Sequence, residues 1–74
     1  MDTELKNAIE TAQRECKDPY AQTYLNSIPQ AIKEYGDRGF GVQLLYCLNN
    51  MQTWRGEIAR ETKKVFKKWA KTLS

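Results

Sequence analysis

Residues 39–54, GFGVQLLYCLNNMQTW, hold the densest apolar stretch of the chain: Phe40, Val42, Leu44, Leu45, Tyr46, Cys47, Leu48, Met51 and Trp54. At about 100° per residue, Phe40, Leu44, Cys47, Leu48 and Met51 share one helical face. Val42, Leu45 and Tyr46 extend the apolar surface around most of the remainder. Up to Met51 the polar positions are Gln43, Asn49 and Asn50. A helix apolar on most sides is a core element with neighbours on more than one side. The expectation is therefore a spine helix, buried around most of its circumference, with the other helices packed against it. Asn49–Asn50 marks its C-terminal end, since asparagine disfavours a helix interior and stabilises turns through its own side chain.

Beyond the spine, Thr53–Trp54–Arg55–Gly56 reads as a connection or a tight helix entry. Residues 57–73 then give the clearest helical period in the chain. Ile58, Ala59, Thr62, Val65, Phe66, Trp69, Ala70 and Leu73 fall within an arc of roughly 140°. Arg60, Lys63, Lys64, Lys67, Lys68 and Lys71 fill the opposite arc. IARETKKVFKKWAK looks superficially like part of a helix-turn-helix, but the apolar period passes through Thr62, Val65, Phe66 and Trp69 without the break such a motif needs. One continuous helix is expected.

Before the spine, residues 3–16 read as a first helix, with Thr3 as N-cap and Glu4 favoured by the helix dipole. Leu5, Ala8, Ile9, Ala12 and Cys16 form its narrow apolar stripe. Asp18–Pro19 is a helix start: the carboxylate caps orphan amides, and proline at the first helical position loses no bond. Tyr20, Ala21, Tyr24, Leu25 and Ile28 follow. Pro29 lacks a donor and clashes with the preceding turn, so the helix either kinks there or stops near Asn26, with Ser27 recapping a short helix over 28–35; the break is the favoured reading. Gly36 is a natural C-cap in the left-handed conformation, and Asp37–Arg38–Gly39 a short turn into the spine. No alternating run of β-branched residues suggests a sheet. The fold expected is all-α: one domain over residues 1–74, a small antiparallel helical bundle of three long helices plus a short one after Pro29. Its core should include Leu5, Ile9, Ala12, Leu25, Ile32, Leu44, Leu45, Leu48, Met51, Ile58, Val65, Phe66 and Trp69.

Composition bounds the function. A 74-residue chain buries only about 60% of its unfolded surface, so its core has little margin. No apolar run approaches the roughly 18 residues of a membrane span. MDTELKNAIE is acidic and polar, so neither a secretory leader nor a transit peptide is expected. The net charge of +3 is unevenly spread: residues 1–54 hold five basic and seven acidic groups, residues 55–74 seven basic and two acidic. The basic character belongs to the C-terminal segment.

Catalytic signals are sparse. With no histidine, the usual acid–base group at neutral pH is missing. No GxSxG, phosphate-loop or HExxH motif occurs. The GFG at 39–41 follows a helix, not the strand that a nucleotide loop requires. Glu57 and Glu61, one turn apart beside Arg60 and Lys64, read as surface charge pairing and not as an acid–base pair. Two cysteines cannot by themselves build a structural zinc site; buried free thiols are expected, with a Cys16–Cys47 bridge left open. The chain is expected not to be an enzyme, with no cofactor, no metal and no small-molecule substrate.

Two features point to binding. Arg60, Lys63, Lys64, Lys67, Lys68 and Lys71 could meet the phosphates of DNA or RNA; a solvated face whose charges follow the helix dipole is the ordinary alternative. Trp54 and Arg55, residue types enriched in binding hot spots, form either a recognition patch or, for Trp54, a plug between the last two helices. The pattern YG..GF..QLLYCLNNMQTWRGE.AR..K, carried by Tyr35, Gly36, Gln43, Leu45, Tyr46, Leu48, Asn50, Trp54, Arg55, Gly56, Ala59 and Lys63, resembles small helical proteins of prokaryotic and phage type. That resemblance implies a cytoplasmic protein of prokaryotic or phage origin and carries over no functional residue. The function expected is a small interaction module that binds a protein partner or self-associates as a homo-oligomer. The alternative is nucleic-acid binding through the basic C-terminal helix.

Overall fold

The structure, a computed structural model, describes residues 2–73. Four helices follow one another: α1, Thr3–Glu15; α2, Pro19–Asn26; α3, Ile28–Asn49; and α4, Glu57–Leu73. They pack antiparallel as a closed ring, α1 on α2, α2 on α3, α3 on α4 and α4 back on α1. The all-α bundle is as expected, but the short helix is α2, which begins at Pro19 and ends before Pro29.

Local chemistry explains each boundary. Asp2, not Thr3, caps α1, its carboxylate accepting from the Glu4 and Leu5 amides at 2.8 and 3.3 Å. Asp18 caps α2 as read, accepting from the Tyr20 and Ala21 amides at 2.8 and 3.0 Å, with Pro19 at the first helical position. The chain does break at Ser27, but the serine hydroxyl donates back to the Thr23 carbonyl at 2.8 Å and does not cap α3. Pro29 falls in the first turn of α3, where its missing N–H costs nothing.

The α1–α2 connection is closed by a side chain. The last carbonyls of a helix have no partner within it. Gln22 of α2 reaches across, its amide donating to the Gln13 carbonyl at 3.0 Å and also to that of Cys16. On the far side of α2, Gln43 of α3 donates to the Tyr24 carbonyl at 2.8 Å.

Gly36 divides α3 into two helical segments. Its φ is 68° and its ψ −152°, outside the left-handed helical region expected for a C-cap and in territory essentially restricted to glycine. The helix resumes at once, so Asp37–Arg38–Gly39, expected as a turn, is helical. The kink folds residue 35 toward residue 39: a Cβ on Gly39 would overlap Tyr35 Cβ and lie 3.0 Å from the Ala31 carbonyl. Only glycine fits so close an approach.

The core is formed by Leu5, Ile9, Ala12, Cys16, Ala21, Leu25, Ile28, Phe40, Leu44, Cys47, Met51, Phe66 and Ala70, with Ile32, Leu48, Val65 and Trp69 half-buried against it. Two expected core residues lie outside: Leu45 is 46% exposed and Ile58 55%. Ile58 sits in the first turn of α4, where its apolar phase is right but no neighbour covers it. Leu45 belongs to a larger correction. The spine is buried on one face only, through Phe40, Gly41, Leu44 and Cys47, while Val42, Leu45 and Tyr46 are exposed. A ring of four gives α3 two neighbours, α2 and α4, and two neighbours cannot cover a helix all round.

Candidate functional site

The turn between α3 and α4 sets the geometry of the first candidate site. Asn50 ends α3, its side-chain amide donating to the Tyr46 carbonyl at 2.9 Å. Met51 lies just past the helix yet is fully buried. It anchors the turn, and the Trp54 amide donates to its carbonyl at 3.0 Å. Trp54 is thereby held half-buried against the core, while Arg55 beside it is exposed. Gly56, at φ 114°, turns the chain into α4. A Cβ there would meet nothing within 4 Å, so the dihedral, and not the space, favours glycine.

The structure divides the six cations of α4. Lys63 donates to the Trp54 carbonyl, tying the helix to the turn. Arg60, Lys63, Lys64 and Lys67 occupy one flank of the helix and, with Trp54 and Arg55, wall an open depression of about 370 Å³. Buried Ala59 and exposed Gly56 complete its lining. No carboxylate among the described residues lines it. Glu61 stands 3.5 Å from Lys64, an exposed pair of the kind that contributes little.

Lys68 belongs to the other flank. Its ammonium lies 2.9 Å from Glu4 Oε1, which also accepts from the Trp69 indole N–H at 3.2 Å, and it sits 5.9 Å from the centre of the Trp69 ring. The Lys68 and Trp69 hydrogen bonds, with the lysine charge, hold the Glu4 carboxyl below its ordinary range. The hydrogen bond to Glu4 raises Lys68 in return. Lys68 thus fastens α4 to the start of α1. Lys71 is exposed in the last turn of α4, where the helix dipole favours a cation.

A second candidate surface lies on the outside of α3. The kink at Gly36 brings Tyr35, Gly39, Val42 and Tyr46 along a shallow groove of about 330 Å³, floored by Ala31 and bordered by Arg38. Tyr35 is 71% exposed and Tyr46 48%. The Tyr46 ring lies 5.5 Å from that of Tyr24, tilted by 32°, which fixes its position at the groove's edge. The sequence reading took Val42 and Tyr46 as extending the buried circumference of the spine and missed this groove. Its signal was present: both residues lie nearly opposite Leu44 on the helical wheel. Arg55 was likewise read as a partner of Trp54 and not as part of the basic wall, because it precedes the helix whose period was being followed.

Cys16 and Cys47 are free and buried. Burial pushes the Cys47 thiol up to about 12, so it is no nucleophile at neutral pH. Among the described residues no group of three or more histidine, cysteine, aspartate or glutamate side chains is placed to hold a metal ion. No described helix is long and apolar enough to cross a membrane. Comparison of the chain with protein-family models, curated proteins and solved structures finds no match.

Proposed function

We propose that the chain is a small non-enzymatic interaction module whose partner is a protein or a second copy of itself. The supporting observation is the outward face of α3, where Tyr35, Val42, Leu45 and Tyr46 meet solvent although the core beneath is fully packed. Contiguous exposed apolar surface beside a groove is characteristic of interaction sites. A two-fold pairing of this face would cover it with the same residues from a second chain. Sedimentation velocity across a concentration series tests the self-association version. The expected mass rises from 8.6 kDa toward twice that value, and Val42→Asp with Tyr46→Ser abolishes the rise. A strict monomer at high concentration removes self-association.

A second reading is contact with the phosphate backbone of a nucleic acid. It is favoured by the cationic depression at Trp54, walled by Arg55, Arg60, Lys63, Lys64 and Lys67. Such binding weakens steeply with salt, in proportion to the phosphates neutralised.

A further inference from the structure

We infer that the depression between Trp54 and the Arg60–Lys67 flank of α4 is a site for one nucleotide of an unpaired nucleic-acid strand, its base against the indole and its phosphates among the cations. This inference rests on the second reading above and names its ligand. Three observations carry it. The first is the grouping of charge. Of the cations on α4, Arg60, Lys63, Lys64 and Lys67 converge with Arg55 on a single concavity, whereas Lys68 is held by Glu4 on the opposite flank.

The second is size. About 370 Å³ lies at the lower end of the roughly 300–1,000 Å³ of small-ligand pockets, which suits one base and its phosphate. The hollow is open to solvent, so a strand can enter and leave it. The third is the indole. Trp54 is half-buried against the core, and its backbone is held through Met51 and Lys63. An aromatic side chain partly restrained by packing loses less freedom on stacking than a fully exposed one. A cationic groove combined with an aromatic platform is how single strands are bound without sequence preference.

The test uses the full chain, with Trp69→Phe so that Trp54 is the only indole emitter. Fluorescence quenching and anisotropy are followed at low salt with an oligothymidylate, an abasic strand of equal length and a duplex of equal length. The oligothymidylate is expected to quench Trp54 and to bind about tenfold or more tightly than the abasic strand. Lys64→Glu with Lys67→Glu should weaken binding by about tenfold or more, and Lys68→Glu should change it far less. Trp54→Phe should retain most of the affinity, and Trp54→Ala should lose it. If Trp54→Ala fails to fold, as read by circular dichroism, the abasic comparison carries the stacking test alone. Equal binding of thymidylate and abasic strands, or duplex binding without quenching, overturns the nucleotide site while the backbone reading stands. Absence of binding to every strand overturns both.

Discussion

At the scale of single residues, the molecule separates side chains that look alike in the sequence. Leu44 and Leu45 are adjacent leucines in one helix, yet Leu44 is fully buried and Leu45 is 46% exposed. Leu44→Ala should cost about 2–5 kcal/mol, the transfer loss plus the residual cavity. Leu45→Ala should stay within about 0.5 kcal/mol, as for surface substitutions generally. Urea unfolding of the two variants in dilute solution measures both. Equal losses would show that α3 is enclosed on both faces.

At the scale of elements, the ring is fastened by a few directed contacts. At the junction of α1 with α4, Glu4 accepts from Lys68 and Trp69 at the exposed rim, a small addition to the buried packing beneath, and this contact carries a pH dependence of definite sign. The Glu4 carboxyl is lowered in the folded chain. Its contribution is therefore present above the unfolded glutamate value and is lost as the pH falls through the lower folded value. Lys68 is raised, so its share is complete below the unfolded lysine value and disappears as the pH rises through the folded one. Thermal melts of the wild type and Glu4→Gln should differ near neutrality and converge in acid below the ordinary glutamate range. A difference that persists there would assign the effect to packing and not to charge. Elements were also the scale at which the sequence was most legible. Asp18–Pro19, the end of α3 at Asn49, and α4 follow from capping rules and a period of 3.6. The first cap was misplaced by one residue, because Thr3 and Asp2 both suit the position and only the backbone decides between them. The exposed side of α3 was misread for a deeper reason. Periodicity reports which residues are apolar, whereas burial depends on how many neighbours a helix has. The basic depression was half legible: the lysines stood out, but the turn that brings Trp54 and Arg55 beside them depends on Met51 being buried outside any helix.

At the scale of the whole molecule, the radius of gyration is 11.0 Å, against about 11 Å expected for a compact chain of this length. The apolar groove on α3 therefore lies on a fully collapsed body. Cys16 and Cys47 are both buried in the shared core, so a thiol reagent should reach them only when the bundle opens as a unit. Labelling of the native chain should be slow at neutral pH. Leu44→Ala should accelerate it by the same factor by which that variant raises the unfolding equilibrium constant. Labelling as fast as in denaturant would mean that the core opens locally around one cysteine.

The ring also joins the first helix to the last, since α1 packs on α4. Leu5, Ala8, Ile9 and Ala12 share their core with Phe66 and Ala70. During synthesis, α1, α2 and α3 are all made before α4. Until Phe66 arrives, those residues lack the partner that shields them. The order of translation thus leaves this bundle to assemble in one late step, with its most apolar helix waiting on its most basic one.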